Sequence, residues 1–242
     1  MDYKDIKSGY KRSIFIIVLF SLLVIGGGKF LSQESILPLL ITTKDHLKPK
    51  RKCGTFAEDF TEKASRGELI IKNKSSFSFI YTKSNRNGHA FTGVWFPLEN
   101  LNIDFSSYDY IEIDIVTNRA RRIPINLSVQ NSLETHQYVR HFIEVEEEKT
   151  RYKLALKDFF TPSEWYTENN VTQSQIPEQD FSKVEAISFE SCHLLEREIR
   201  DGFTVKSIVL RKDLTFLYAV VLILNVLGIF ISWFKFQKKS IV

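Results

Sequence analysis

Only two cysteines, Cys53 and Cys192, occur in the 242 residues, with no Cys-x-x-Cys, and only Cys192 has a histidine, His193, close by in sequence. This excludes the usual structural zinc sites, whose thiolate and imidazole ligands stand at short spacings. The lipase-type Gly-x-Ser-x-Gly, the phosphate-binding Gly-x-x-x-x-Gly-Lys and His-Glu-x-x-His are also absent, so no familiar hydrolase or nucleotide site is written in the chain. Lys and Arg number 33 against 29 Asp and Glu, a formal net charge of +4. The excess lies partly in the flanks, and no basic stripe interleaved with aromatics crosses the middle, so nucleic acid is not an expected partner. Paired carboxylates are all that a glycosidase requires. The densest acidic run, Glu144, Glu146, Glu147 and Glu148, stands beside Lys149 and Thr150 and reads as a solvated hairpin turn. No enzyme activity, cofactor or metal is expected.

What is present is concentrated. Residues 14–28 (IFIIVLFSLLVIGGG) carry no charge, and Lys29 follows them. Residues 214–234 (LTFLYAVVLILNVLGIFISWF) are likewise uncharged and are followed by Lys235, Lys238 and Lys239. About 20 apolar residues at 1.5 Å each cross a hydrocarbon core of roughly 30 Å. The second run is therefore expected to span a membrane, with Tyr218 and Trp233 near its interfaces. The first leaves two readings, a signal peptide or an uncleaved anchor over 13–31, of which the anchor is preferred. Both export the middle of the chain. The expected organisation is a cytoplasmic 1–12, a helix at 13–31, a basic linker at 32–52, an extracytoplasmic domain at 53–212, a helix at 214–234 and a cytoplasmic tail at 235–242. Integral insertion in a bacterial inner membrane is the expected location.

The middle of the chain alternates. Ile111, Ile113 and Ile115 interleave with Glu112 and Asp114; Ile123, Ile125, Leu127 and Val129 interleave with Asn126 and Ser128. Val139, His141, Ile143 and Val145 share one parity, as do Tyr152, Leu154 and Leu156. Period-2 patterns this regular predict half-buried antiparallel strands. Further strands are expected at 68–71, 76–82, 91–97, 186–191 and 203–210. Eight or nine short strands with few helical windows predict an all-β, antiparallel jelly-roll β-sandwich, here flanked by two transmembrane helices. Residues 36–41 read as a packed lead-in to it.

A strand reading YKLALKDF, an aromatic-rich loop, then DFSKVEAISFES and a closing GFTVKSIVLRKD resembles the galactose-binding-like jelly rolls. These include many carbohydrate-binding modules and the complex I intermediate-associated protein family. YDYIEIDIVTN and IPINLSVQ resemble the central strand pair of such domains, and the resemblance covers about residues 53–212. Similar domains stand between two membrane spans in bacterial sensor proteins, ahead of a kinase or cyclase that this chain lacks. Many members hold a structural calcium with an acidic residue in the last strand. Here Val205 and Lys206 occupy that neighbourhood, so no metal is assigned, although Glu58 and Asp59 remain near the start of the domain.

For binding, pairing of the strand at 123–130 with that at 138–145 would put Asn126, Ser128, Gln130, Tyr138 and Arg140 on one face. Aromatic, amide and guanidinium groups together can stack on and hydrogen-bond a glycan or small polar ligand. Trp165 follows the breaker Thr161-Pro162-Ser163 among polar neighbours and is expected to be exposed on the rim of that face; the alternative is that it packs over the sandwich end and that Tyr138 and Arg140 are ordinary surface residues. His141 is expected to be a satisfied core histidine. Cys53 and Cys192 either pair as a disulfide, the preferred reading in an oxidising compartment, or are separate small hydrophobes. Asn73, Asn126 and Asn170 head sequons that matter only in a eukaryotic source. The functional expectation is a membrane-anchored, extracytoplasmic ligand-binding or sensory-input protein. The alternative is a structural or assembly subunit whose exposed face and Asn225 meet membrane or extracytoplasmic protein partners.

Overall fold

The computed structural model describes residues 3–36, 53–57, 65–73, 76–84, 90–98, 103–130, 136–175, 179–191 and 198–240. They fall into two units, residues 34–211 and a helical unit made of both chain ends.

The larger unit is a sandwich of two antiparallel sheets. Its strands are β1 (Gln33–Ser35), β2 (Gly54–Ala57), β3 (Arg66–Asn73), β4 (Ser76–Thr82), β5 (Thr92–Pro97), β6 (Tyr110–Thr117), β7 (Arg121–Gln130), β8 (His136–Val145), β9 (Arg151–Ala155), β10 (Val184–Glu190) and β11 (Arg200–Arg211). One sheet runs β3-β4-β11-β6-β9, with β1 paired to β11; the other runs β2-β5-β10-β7-β8. Every strand expected from alternation is found, and β1 and β2 are additional.

The alternating positions become the core. Ile111, Ile113, Ile115, Ile123, Ile125, Leu127 and Val129 have no exposed surface, and Val94, Phe96, Ile187, Phe189, Val205 and Ile208 close the space between the sheets. Phe77 meets Phe96 at 4.7 Å and Phe189 at 5.6 Å between ring centroids, binding the two layers through aromatic contact. His141 is half-buried rather than core, with its ring 5.2 Å from Phe159 and Nδ1 2.9 Å from the Phe142 carbonyl. Of the expected lead-in, Ile36 is fully buried and its N–H bonds to the Ile208 carbonyl at 3.0 Å; residues 37–52 lie outside the described residues.

Two expectations need correction here. The Glu144–Glu148 run does not close a hairpin, because β8 pairs with β7 while β9 pairs with β6 in the opposite sheet. It is a solvated crossover between layers, gathered by the Tyr152 hydroxyl, which accepts from the Glu146 N–H at 2.8 Å and donates to the Lys149 carbonyl at 2.7 Å. Periodicity reports which face a residue takes, not which sheet the next strand joins.

The second correction concerns the segment after β9. The chain climbs over the free edge of β8, where Arg140 and Phe160 exchange both backbone hydrogen bonds, at 2.7 and 3.0 Å. That covers an edge that would otherwise offer unpaired amides. A short helix, α2 (Ser163–Asn169), then follows, with Pro162 at its N-cap and Asn170 left-handed at its end (φ 52°). Trp165 in this helix is 1% exposed, not a rim residue. The breaker Thr-Pro-Ser starts a helix, and a helix of two turns is too short to reveal its apolar face in the sequence.

The helical unit pairs α1 (Tyr3–Leu31) with α3 (Thr215–Ser240). One stretch, Thr215–Phe234, is long and apolar enough to cross a membrane, and the apolar part of α1, Ile14–Lys29, is shorter. The Ser21 hydroxyl donates to Asn225 Oδ1 at 2.9 Å, and Asn225 Nδ2 donates to the Val221 carbonyl at 2.8 Å. Asn225 therefore meets α1 through its Oδ1. A Cβ on Gly28 or on Gly228 would lie 3.0 Å from Leu217 or Ile17 of the opposite helix, so both glycines are points of close approach.

Candidate functional site

The outward face of the second sheet is read through its register. Gly54 lies opposite Trp95, Trp95 opposite Ser188, Ser188 opposite Asn126, and Asn126 opposite Arg140. One row thus crosses five strands with every side chain on the face away from the core. Beside it run Ala186, Ser128 and Tyr138 on one side, and Phe56, Gly93 and Glu190 on the other. All of these but the two glycines, with Phe91 and with Glu164 and Glu168 from α2, line a groove of about 930 Å³.

Two glycines decide the shape of its floor. A Cβ on Gly93 would come within 2.3 Å of the Phe56 ring and 2.7 Å of the Phe189 carbonyl, so only glycine lets that ring lie down on β5. A Cβ on Gly54 would stand 3.0 Å from Trp95 Nε1, so the indole lies across β2 in the same way. Phe91 buttresses Phe56 edge-on at 6.3 Å. The β2–β5 half of the groove is consequently aromatic.

The other half is a hydrogen-bonded polar network. Asn126 Nδ2 donates to Glu190 Oε1 at 2.6 Å and to Ser188 Oγ at 3.3 Å, while its Oδ1 accepts from Arg140 Nε at 2.8 Å. Arg140 also reaches Glu164 Oε1 at 2.6 Å and Glu190 Oε2 at 3.4 Å. Burial pushes the Glu190 carboxyl above the usual glutamate range, with the Arg140 charge and the Asn126 bond opposing it. The Tyr138 phenol is pushed up to about 12, by burial first and then by Glu164, so it stays an O–H group at neutral pH. Its ring lies 5.7 Å from the Arg140 guanidinium.

Of the residues singled out from sequence, Ser128, Tyr138 and Arg140 line the groove, with Asn126 beneath them. Gln130 ends β7 opposite His136, and its side chain lies outside the described residues. Trp165 does not line the groove: its indole Nε1 donates to the His136 carbonyl at 2.9 Å under α2. It pins the helix that brings Glu164 and Glu168 to the groove wall. Cys53 is half-buried and its thiol is pushed up by that burial; Cys192 lies outside the described residues, as do Glu58 and Asp59. Among the described residues no cluster of His, Cys, Asp or Glu is arranged to hold a metal. Asn126 is 6% exposed, so the sequon it heads is not an accessible acceptor.

Sequence reasoning missed Phe56, Trp95, Ser188 and Glu190. The last three stood in view, since Trp95 alternates with Val94 and Phe96, and Ser188 and Glu190 alternate with Ile187 and Phe189. Phe56 gave no such signal, because β2 is only four residues long.

No protein-family model matches the chain, and no curated protein sequence does. Among solved structures it is similar to the family 11 carbohydrate-binding module from Clostridium thermocellum in complex with a β-1,3-1,4-mixed-linked tetrasaccharide. That likeness has 14% identity and a TM-score of 0.48, and covers 75% of this chain and 96% of the module. A family 30 carbohydrate-binding module of a cellulosomal cellulase of the same organism is similar at 12% identity and TM-score 0.41, over 66% of this chain and 90% of that one. An exo-β-agarase is similar at 13% identity and TM-score 0.38, over 64% of this chain and 24% of that one.

Proposed function

We propose that this protein is a non-catalytic glycan-binding protein held at a membrane, with residues 34–211 outside the cytoplasm. The observation that carries the reading is the groove itself, in which two aromatic rings approach closely over glycines beside a row of amide, hydroxyl, carboxylate and guanidinium groups. A sugar has an apolar C–H face and a rim of hydroxyls, and this floor offers stacking to the first and hydrogen bonds to the second. Preorganisation favours it further, because the Asn126, Arg140, Glu190 and Glu164 side chains already hold one another.

A hydrolytic reading is weaker. Glu164 and Glu190 both bond to Arg140, so the two carboxylates act as ligands of one guanidinium, whereas a glycosidase needs an acid and a base or nucleophile flanking a scissile bond.

The membrane part of the proposal rests on the apolar Thr215–Phe234 stretch and on the Ser21–Asn225 bond, which favours α1 as a retained partner of α3 over a cleaved leader. The basic N-terminus and the Lys-rich C-terminus then share the cytoplasmic side of a bacterial inner membrane. Such a protein would deliver a glycan to, or report it through, a membrane or extracytoplasmic partner.

The test is glycan-array screening of the full chain in detergent micelles, followed by titration of the best binder with the wild type and with Trp95→Ala. Loss of an aromatic platform should weaken capture by about tenfold or more. Capture indifferent to Trp95→Ala, or no capture of any glycan, would overturn the reading. Single cysteines introduced near residues 5 and 240 should resist an impermeant thiol reagent in intact cells while one near residue 86 reacts; the opposite pattern would overturn the topology.

A further inference from the structure

The groove is unevenly charged. Its lining carries three carboxylates, Glu164, Glu168 and Glu190, against one guanidinium, Arg140. That guanidinium is shared among three acceptors: Nε bonds to Asn126 at 2.8 Å, Nη1 to Glu164 at 2.6 Å and Nη2 to Glu190 at 3.4 Å. Its charge is already offset by two carboxylates, so an incoming carboxylate or sulfate meets a site with no net positive charge to attract it. Glu164 and Glu168 are one helical turn apart on α2, hence on the same face of the helix, beside Arg140 at the polar end of the groove.

We propose that the groove selects its glycan by charge: it prefers sugar units bearing a protonated amine, admits neutral ones and rejects uronates and sulfated sugars. This rests on the reading of the groove as a glycan site and adds to it the class of glycan. The ammonium is received by the carboxylates at the polar end of the groove, Glu164 and Glu168 on α2, while the aromatic end holds the C–H face of the sugar. The same carboxylates repel an anion in a groove walled by protein, where charge interactions are stronger than in open water.

The experiment uses the full chain in detergent micelles and three oligosaccharides of equal length: a deacetylated chitosan oligomer, a neutral cello-oligomer and an oligogalacturonate. Each is titrated at low and at high salt with the wild type, with Trp95→Ala and with Glu168→Lys. In the wild type the amine-bearing oligomer should bind at least about tenfold more tightly than the uronate at low salt, with the gap narrowing as salt screens it. Glu168→Lys should move the ratio of amine to uronate affinity toward the uronate by about tenfold. Because the ratio is taken within one protein, a general loss of affinity in the variant does not mimic it. Equal binding of all three oligomers, still lost with Trp95→Ala, would refute charge selection and leave the glycan reading standing. A preference for the uronate would refute charge selection outright. No binding of any oligomer, or binding indifferent to Trp95→Ala, would remove the glycan reading and this inference with it.

Discussion

Replacing Trp165 tests how the groove wall is held. The side chain is 1% exposed, its ring stands 6.0 Å from that of Tyr166, and its indole N–H bonds to the His136 carbonyl at 2.9 Å. A tryptophan of this kind buries on the order of 200 Å², worth about 5 kcal/mol at about 25 cal/mol per Å². Partial collapse of the site recovers some of that, so Trp165→Ala should cost about 3–5 kcal/mol. In a domain of this size that is a fall of about 6–20 °C in Tm. Trp165→Phe keeps most of the ring and deletes the donor, so it should cost about 1–3 kcal/mol. The assay is thermal and urea unfolding of the full chain in micelles, followed by the strand signal in circular dichroism, with glycan titration alongside. Because α2 carries Glu164 and Glu168 into the groove, the Ala variant should also lose ligand. If Trp165→Ala costs less than about 1 kcal/mol, the residue is not the pin of α2 and the account of the groove wall is wrong.

Opposite pH slopes are expected from two carboxylates. Burial works against the charge of Asp201, but hydrogen bonds from Arg119, Arg121 and the Gly202 N–H outweigh it and hold its carboxyl below the usual range. Its contribution is present above the ordinary aspartate value of about 3.9 and is lost as pH falls through the lowered folded value. Asp201→Asn should flatten that acid limb and cost about 3–5 kcal/mol near neutrality, since it leaves the fully buried Arg121 side chain without its counter-charge; an unchanged acid limb would count against the pair. Glu190, raised by burial, contributes stability that is complete below the ordinary glutamate value of about 4.3 and fades as pH rises through its raised value, so Glu190→Gln should flatten the loss that sets in above about 4.3. Oxidation of a Ser21→Cys/Asn225→Cys double variant in membranes should cross-link α1 to α3, read as a linked peptide by mass spectrometry; its absence would dismiss the helix pair. Cys53 carries a free thiol, so alkylation without reductant should label it; protection of Cys53 that reductant relieves would restore the disulfide with Cys192.

Much of this protein follows from local rules. The alternation of Ile111 to Ile115 and of Ile123 to Val129 dictates which atoms leave water, and burial of those positions leaves few alternatives to two packed antiparallel sheets. The same alternation brings Ser128, Tyr138 and Arg140 to one outward face, because side chains of neighbouring antiparallel strands in register point the same way. Uncharged runs of the length of residues 214–234 need no tertiary information to be recognised. Three things were decided only in the folded state. The order β2-β5-β10-β7-β8 brings Phe56 and Trp95 beside residues far away in the chain, a long-range choice that no local pattern encodes. Gly54 and Gly93 matter because of what lies above them, and a glycine in isolation does not announce a ring on its back. Trp165 looked exposed among polar neighbours, yet the edge of β8 supplied both the surface that buries it and the His136 carbonyl that satisfies it. Strand alternation is a property of adjacent residues, whereas the floor, wall and charge of the groove depend on contacts between strands that meet only when the sandwich closes.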